Sequence, residues 1–231
     1  GLSEGAYYDP AQYASSVVKL FEYIRGHLGS SVELCHDIHE RLTPVAALSL
    51  ARELERYHLF FLEDALPPEQ VEWFSIFRQQ TAVPLAMGEL FVNPQEWKTL
   101  ITQRLIDFIR VHISMIGGLT PARKLAGLSE AFGVRTAWHG PNDITPVGVA
   151  AQLHLDVSSP NFGIQEFFGF SQLEQEIFKG CPKVHEGYLY PSDKPGFGIE
   201  FDEELAMKYP CARRDHGWLR SRLPDGTAVR P

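Results

Sequence analysis

Cysteine and methionine are scarce, with three of each in 231 residues. Cys35, Cys181 and Cys211 form no CxxC pair, and an odd, scattered set offers no disulfide framework, which fits a reducing cytoplasm. A cluster of Lys and Arg able to follow a phosphate backbone is also missing. With 21 basic against 29 acidic residues and a formal net charge of −8, nucleic acid is not an expected partner. No apolar run approaches the roughly 18 residues needed to cross a bilayer, so no membrane partner is expected. The opening GLSEGAYYDPAQY has neither a basic nor an apolar signal region, and secretion is not indicated. It also lacks an initiator Met and reads like the middle of a loop, so upstream sequence is expected to be missing.

What is present suits a folded domain, with 44% hydrophobic and 22% charged residues and enough length for a sizeable core. From about Tyr13 to Leu28 apolar residues recur at helical spacing, and Gly29 supplies a stop. Val32 to Leu34 reads as a short strand, followed by His36-Asp37-Ile38-His39 and a helix opened by Thr43-Pro44. The same grammar then repeats. Leu59 to Glu63 precedes a helix over about Glu69 to Thr81, and Pro84 to Glu89 precedes one over about Pro94 to Thr102. LIDFIRV precedes a helix over about Pro121 to Phe132, VRTAWHG leads into Val147 to Leu155, and Phe162 to Glu166 begins a last strand.

The steps between Asp37, Glu63, Glu89, Arg110, His139 and Glu166 are 26, 26, 21, 29 and 27 residues, one βα unit each. Short, unalternating apolar runs between amphipathic helices predict a parallel sheet in an α/β fold. Either a (β/α)₈ barrel or a doubly wound sheet can use such units. The barrel is favoured because every strand ends in a polar residue able to converge on one rim, and no glycine-rich phosphate loop appears. Residues 1–168 are read as a partial barrel carrying the chemistry, and 169–231, richer in Pro, Gly and charge, as an irregular covering segment.

Asp37, Glu63 and Glu89 each close an apolar strand, where neighbouring strands lie about 4.8 Å apart. Three carboxylates gathered there would repel unless a cation sat among them, and hard oxygen ligands suit Mg²⁺. Any one of them could equally be a solvated loop residue; their matching positions in successive units favour the metal. His39 would share the side of Asp37 if the chain stays extended, placing a proton donor near that metal, although a lone loop histidine more often packs or is solvated. His139 again follows a strand directly, with Asp143 four residues on as an orienting partner or substrate contact. Arg110 can grip a carboxylate, and Glu166 can accept from sugar hydroxyls.

The strings CHDIHERLTP, FLEDALPPEQ, PLAMGELF, LIDFIRVHISMIGGLTPARKLA, VRTAWHGPNDITPV, PNFGIQEFFGF and DKPGFGIEFDEELAMKYP together resemble the mannonate dehydratase group of the enolase superfamily, which includes relatives labelled starvation-sensing proteins. The resemblance runs from about Tyr13 to about Gly226. It implies a modified TIM barrel with a separate capping domain, and Mg²⁺ held by Asp37, Glu63 and Glu89. By carry-over, His39 is the acid that assists loss of the 3-hydroxyl; His139, also catalytic, joins Arg110 and Asp143 in holding substrate; and Glu166 binds a hydroxyl. The implied reaction is dehydration of a six-carbon aldonic acid, D-mannonate or D-gluconate, to 2-keto-3-deoxy-D-gluconate, with a non-catalytic sugar-acid sensor as the alternative. An even-numbered homo-oligomer such as an octamer is implied as well.

The capping domain, the first two strands and the loop bearing the family's base are expected to be absent here, leaving six βα units and a fragment inactive by itself. Glu40 and Ala65 stand where many relatives have His and Pro. Pro141 stands where efficient members carry Ala, which implies low efficiency.

Overall fold

The computed structural model describes residues 8–211 and 221–229. They form two compact units, one of residues 8–87, 95–108 and 221–229, the other of residues 88–94 and 109–211.

The first unit opens with α1 (Pro10–Leu28). The Asp9 carboxylate caps it by accepting from the Ala11 and Gln12 N–H groups, Pro10 takes the first helical position, and Gly29 at φ 63° ends it. Strand β1 (Cys35–Asp37) leads to α2 (Pro44–Leu54), whose cap is the Thr43 hydroxyl. Strand β2 (Phe61–Glu63) is followed by a 3₁₀ segment (Pro68–Trp73), α3 (Phe74–Gln80), β3 (Leu85–Met87) and α4 (Pro94–Thr102). Strands β1, β2 and β3 pair in chain order and in parallel, with Asp37 opposite Glu63 and Glu63 opposite Ala86. Every residue of β2 and β3 is buried, as expected of strands covered on both faces. Leu50, Leu54, Leu62, Phe74, Phe77, Leu85 and Leu100 are shut off from solvent and form this unit's core. Each such side chain contributes on the order of 2 kcal/mol.

Strand β4 (Phe108–Ile109) begins under the control of one carboxylate. Asp107 accepts from the Leu85 N–H at 2.8 Å and from Arg78 at 2.7 Å, while its own N–H donates to the Leu85 carbonyl. The second unit contains α5 (Leu119–Phe132), β5 (Arg135–Thr136) and α6 (Pro146–Val157), again capped by a threonine before proline, Thr145. Next come α7 (Gln172–Ile177), β6 (Phe178–Lys179), β7 (Val184–His185), β8 (Tyr188–Leu189), β9 (Glu200–Phe201) and α8 (Glu203–Ala206). β6 pairs with β9 and β7 with β8, both antiparallel. No helix among the described residues is long and apolar enough to cross a membrane.

Three expectations need correction. The first strand covers Cys35–Asp37 rather than Val32 to Leu34, because the ladder takes in the polar end of the segment: Phe60 donates to the Leu34 carbonyl and Ile38 to that of Glu63. The helix expected over Glu69 to Thr81 is α-helical only from Phe74. Its first half is a 3₁₀ segment kinked at Gln70, with no side-chain cap to start an α-helix. The last strand, Phe162 to Glu166, reduces to a single parallel bridge between Thr136 and Phe162. Beyond that bridge Glu166 turns its carboxylate onto the Gly140 N–H, so side-chain bonding replaces the ladder.

Candidate functional site

In the first unit the parallel register sets Asp37 and Glu63 level at the ends of adjacent strands. Glu63 is buried and Asp37 exposed. The chain does not stay extended after Asp37. His39 and Glu40 both adopt left-handed backbone, at φ 55° and 58°, and this turn brings His39 back onto its neighbour. The Asp37 carboxylate accepts from the His39 N–H at 2.6 Å and meets its Nδ1 at 3.1 Å. Glu40 then donates its N–H to the Asp64 carbonyl, which ties the turn to the end of β2. Behind the strand, the Tyr13 hydroxyl on α1 lies 2.9 Å from His36 Nε2.

In the second unit Glu89, two residues past the end of β3, meets His139 Nε2 at 3.3 Å. Burial holds the His139 imidazole below its ordinary pKa, with Glu89 and Glu166 pulling it up and Arg110 and His112 adding to the depression. A neutral ring is therefore favoured near pH 7, and its Nδ1 is buried with no hydrogen-bond partner among the described residues. Arg110 is 3% exposed and bonds Glu166 at 2.7 Å and the Ala137 carbonyl at 3.1 Å. The same Glu166 oxygen accepts from the Gly140 N–H at 2.8 Å. Gly140 has no room for a side chain, since a Cβ there would collide with the Glu166 carbonyl.

The second unit thus gathers Glu89, Arg110, His139 and Glu166. Asp143 is exposed; burial lowers the pKa of His112, and the Asp143 and Glu166 carboxylates oppose that shift. His112 packs edge-on to His139, with ring centroids 5.7 Å apart. The sequence signal for His112 is its place two residues after Arg110, one strand period. A cleft of about 570 Å³ between α5 and the end of α6, lined by residues such as Arg123, His154 and Asn161, contains none of these side chains.

Chemically, the first unit offers paired hard carboxylates with an adjacent imidazole. The second offers a buried imidazole beside a carboxylate fixed by a guanidinium.

Known proteins resemble the chain along its length. A "D-galactonate dehydratase family member" from Enterocloster bolteae is 58% identical over 231 residues, covering 100% of the chain and 57% of the relative. Another, from Salmonella enteritidis, is 57% identical over 227 residues, covering 98% and 54%. The chain therefore spans somewhat over half the length of the curated relatives it matches. Among solved structures, an enolase from Pantoea ananatis with bound D-gluconate and Mg superposes with a TM-score of 0.96 at 55% identity, covering 100% of the chain and 56% of that protein. A mandelate racemase/muconate lactonizing enzyme from Jannaschia sp. gives a TM-score of 0.82 at 25% identity over 93% of the chain and 54% of that protein. The Enolase C-terminal domain-like family matches residues 11–205. Its parallel βα units, its barrel-type relatives and this match agree, and the chain belongs to the Enolase C-terminal domain-like family.

Proposed function

We propose that the protein containing this chain dehydrates a six-carbon aldonic acid, D-mannonate or D-gluconate, with Mg²⁺, giving 2-keto-3-deoxy-D-gluconate at low efficiency. The observation that carries the reading is the register placing Asp37 beside Glu63 at the ends of parallel strands, with Glu89 following β3 in the same way. The D-gluconate and Mg bound in the Pantoea ananatis enolase support it.

Asp37, Glu63 and Glu89 are the carboxylates that would hold the metal, and their oxygens suit a hard divalent cation. Bound there, Mg²⁺ supplies electrostatic stabilisation of charge developing on the substrate carboxylate. His39 is assigned as the acid: Asp37 steadies its Nδ1 side, and the imidazole delivers a proton to the departing 3-hydroxyl. His139 and Asp143 hold substrate, His139 also serving in catalysis through its neutral, buried ring. Glu166 accepts from a sugar hydroxyl, and Arg110, which also bonds Glu166, holds substrate with His139 and Asp143. Residues 1–168 as the metal-binding part, 169–231 as a covering segment, a cytoplasmic location and an even-numbered homo-oligomer such as an octamer belong to the same proposal.

The test is to incubate the full-length protein with Mg²⁺ and D-mannonate, D-gluconate or D-galactonate and to follow 2-keto-3-deoxy acids by proton NMR. Mg²⁺-dependent product from D-mannonate or D-gluconate supports the dehydratase. Saturable binding without product would favour a sugar-acid-binding sensor, and neither binding nor product would refute both.

A further inference from the structure

Between residues 139–140 and 165–166 the backbone ladder has already ended: the one bridge joining these strands, Thr136 to Phe162, lies several residues earlier. Beyond it the two segments are joined by side chains, among them a pair of amides. Gln152, on α6, is 0% exposed. A primary amide so placed loses its water and has to recover hydrogen bonds inside the protein. Gln152 Nε2 donates to the His139 carbonyl at 2.7 Å, and its Oε1 accepts from Gln165 Nε2 at 3.0 Å. The second hydrogen of that Gln165 nitrogen goes to the Glu166 carbonyl at 2.7 Å. Both ends of this chain are carbonyl acceptors, so only one orientation of the two amides fits.

The two segments are therefore clamped from both sides. On one side the Glu166 carboxylate accepts from Gly140 and Arg110; on the other the two amides join the His139 and Glu166 carbonyls. We infer that Gln152 is a positioning residue, which together with Gln165 fixes the distance and orientation of His139 relative to Glu166 and so sets the sugar-acid affinity of the site. The affinity part rests on the function proposed above, while the clamp itself does not.

The test compares wild type with Gln152→Leu and Gln165→Ala in the full-length protein. Amide hydrogen exchange is read across residues 139–143 and 165–168, and D-gluconate is titrated calorimetrically in Mg²⁺. Losing one buried hydrogen bond and stranding its partner is worth about tenfold. Gln152→Leu is expected to exchange about tenfold faster in both segments, with β2 and β3 unchanged, and to bind D-gluconate about tenfold more weakly with Mg²⁺ affinity unaltered. A folded Gln152→Leu with wild-type exchange in both segments overturns the inference. Faster exchange with unchanged D-gluconate affinity, in a protein whose wild type binds it, also overturns it by leaving Gln152 a purely structural residue. If Gln152→Leu does not fold, Gln165→Ala decides, since it removes the second link from a half-buried position outside the helix. If wild type binds no sugar acid, the proposed function fails, and the exchange result alone supports or refutes the clamp.

Discussion

Asp156 ought to make this protein less stable as the pH rises through neutrality. It lies in the last turn of α6, 5% exposed, and neither carboxylate oxygen has a hydrogen-bond partner among the described residues. Burial pushes its pKa up from 3.8 to about 8, and the nearby Trp138 indole offsets only part of that. Its position near a helix C-terminus further disfavours a negative charge. Between these two values the folded chain holds a proton that the unfolded chain has released, so unfolding gains from every rise in pH. The slope is about 1.4 kcal/mol per pH unit, and by pH 7 the accumulated cost of Asp156 is about 4 kcal/mol. Asp156→Asn cannot ionise and escapes this cost. Urea unfolding of both proteins at several pH values should give equal stabilities near pH 4 and a widening advantage for the variant up to about pH 8, where the difference levels off. Parallel stability–pH curves, or a variant weaker throughout, would show that the buried carboxyl does not carry the pH dependence assigned to it.

Two further substitutions probe the second unit. Arg110→Met leaves the Glu166 carboxylate with the Gly140 N–H but no guanidinium. Because Glu166 is 25% exposed, the loss should fall below that of a fully buried pair, at about 2 kcal/mol by urea unfolding; an unchanged midpoint would show that the pair contributes nothing. Gly140→Ala forces a Cβ against the Glu166 carbonyl, and the backbone there has to move. A loss of about 2 kcal/mol, with weaker sugar-acid binding by calorimetry, is expected, whereas a wild-type alanine variant would mean that the approach is not close.

Much of the architecture is readable from local pattern. Thr43-Pro44 announces a helix start because a hydroxyl cap and a proline at the first position act within four residues, and the structure repeats the device at Thr145-Pro146, one residue before the helix start read at Val147. The buried strands β2 and β3 show as unbroken apolar runs ending in Glu63 and just before Glu89. Local pattern fails where tertiary bonding decides. Glu40 carries no signal of left-handed backbone and His39 only the modest preference of histidine for it; the Asp37 carboxylate and the Asp64 carbonyl hold the turn. Phe162 to Glu166 has the composition of a strand, but Gly140 draws Glu166 into a side-chain contact instead. A buried Gln152 inside an apolar helix carries no sequence cue at all, because its partners lie 13 residues away in either direction.

The turn at His39 also bears on how such a site can change. Its imidazole is held by a carboxylate two residues earlier and by strain confined to two backbone positions, each costing on the order of 1 kcal/mol. The ladder beneath it is secured through Ile38 and the buried strand β2, which the turn joins by one backbone bond, from Glu40 to the Asp64 carbonyl. The side chain at 39 and the scaffold thus meet at few points: a lineage could exchange that residue by relaxing a strained turn while the parallel strands keep their register.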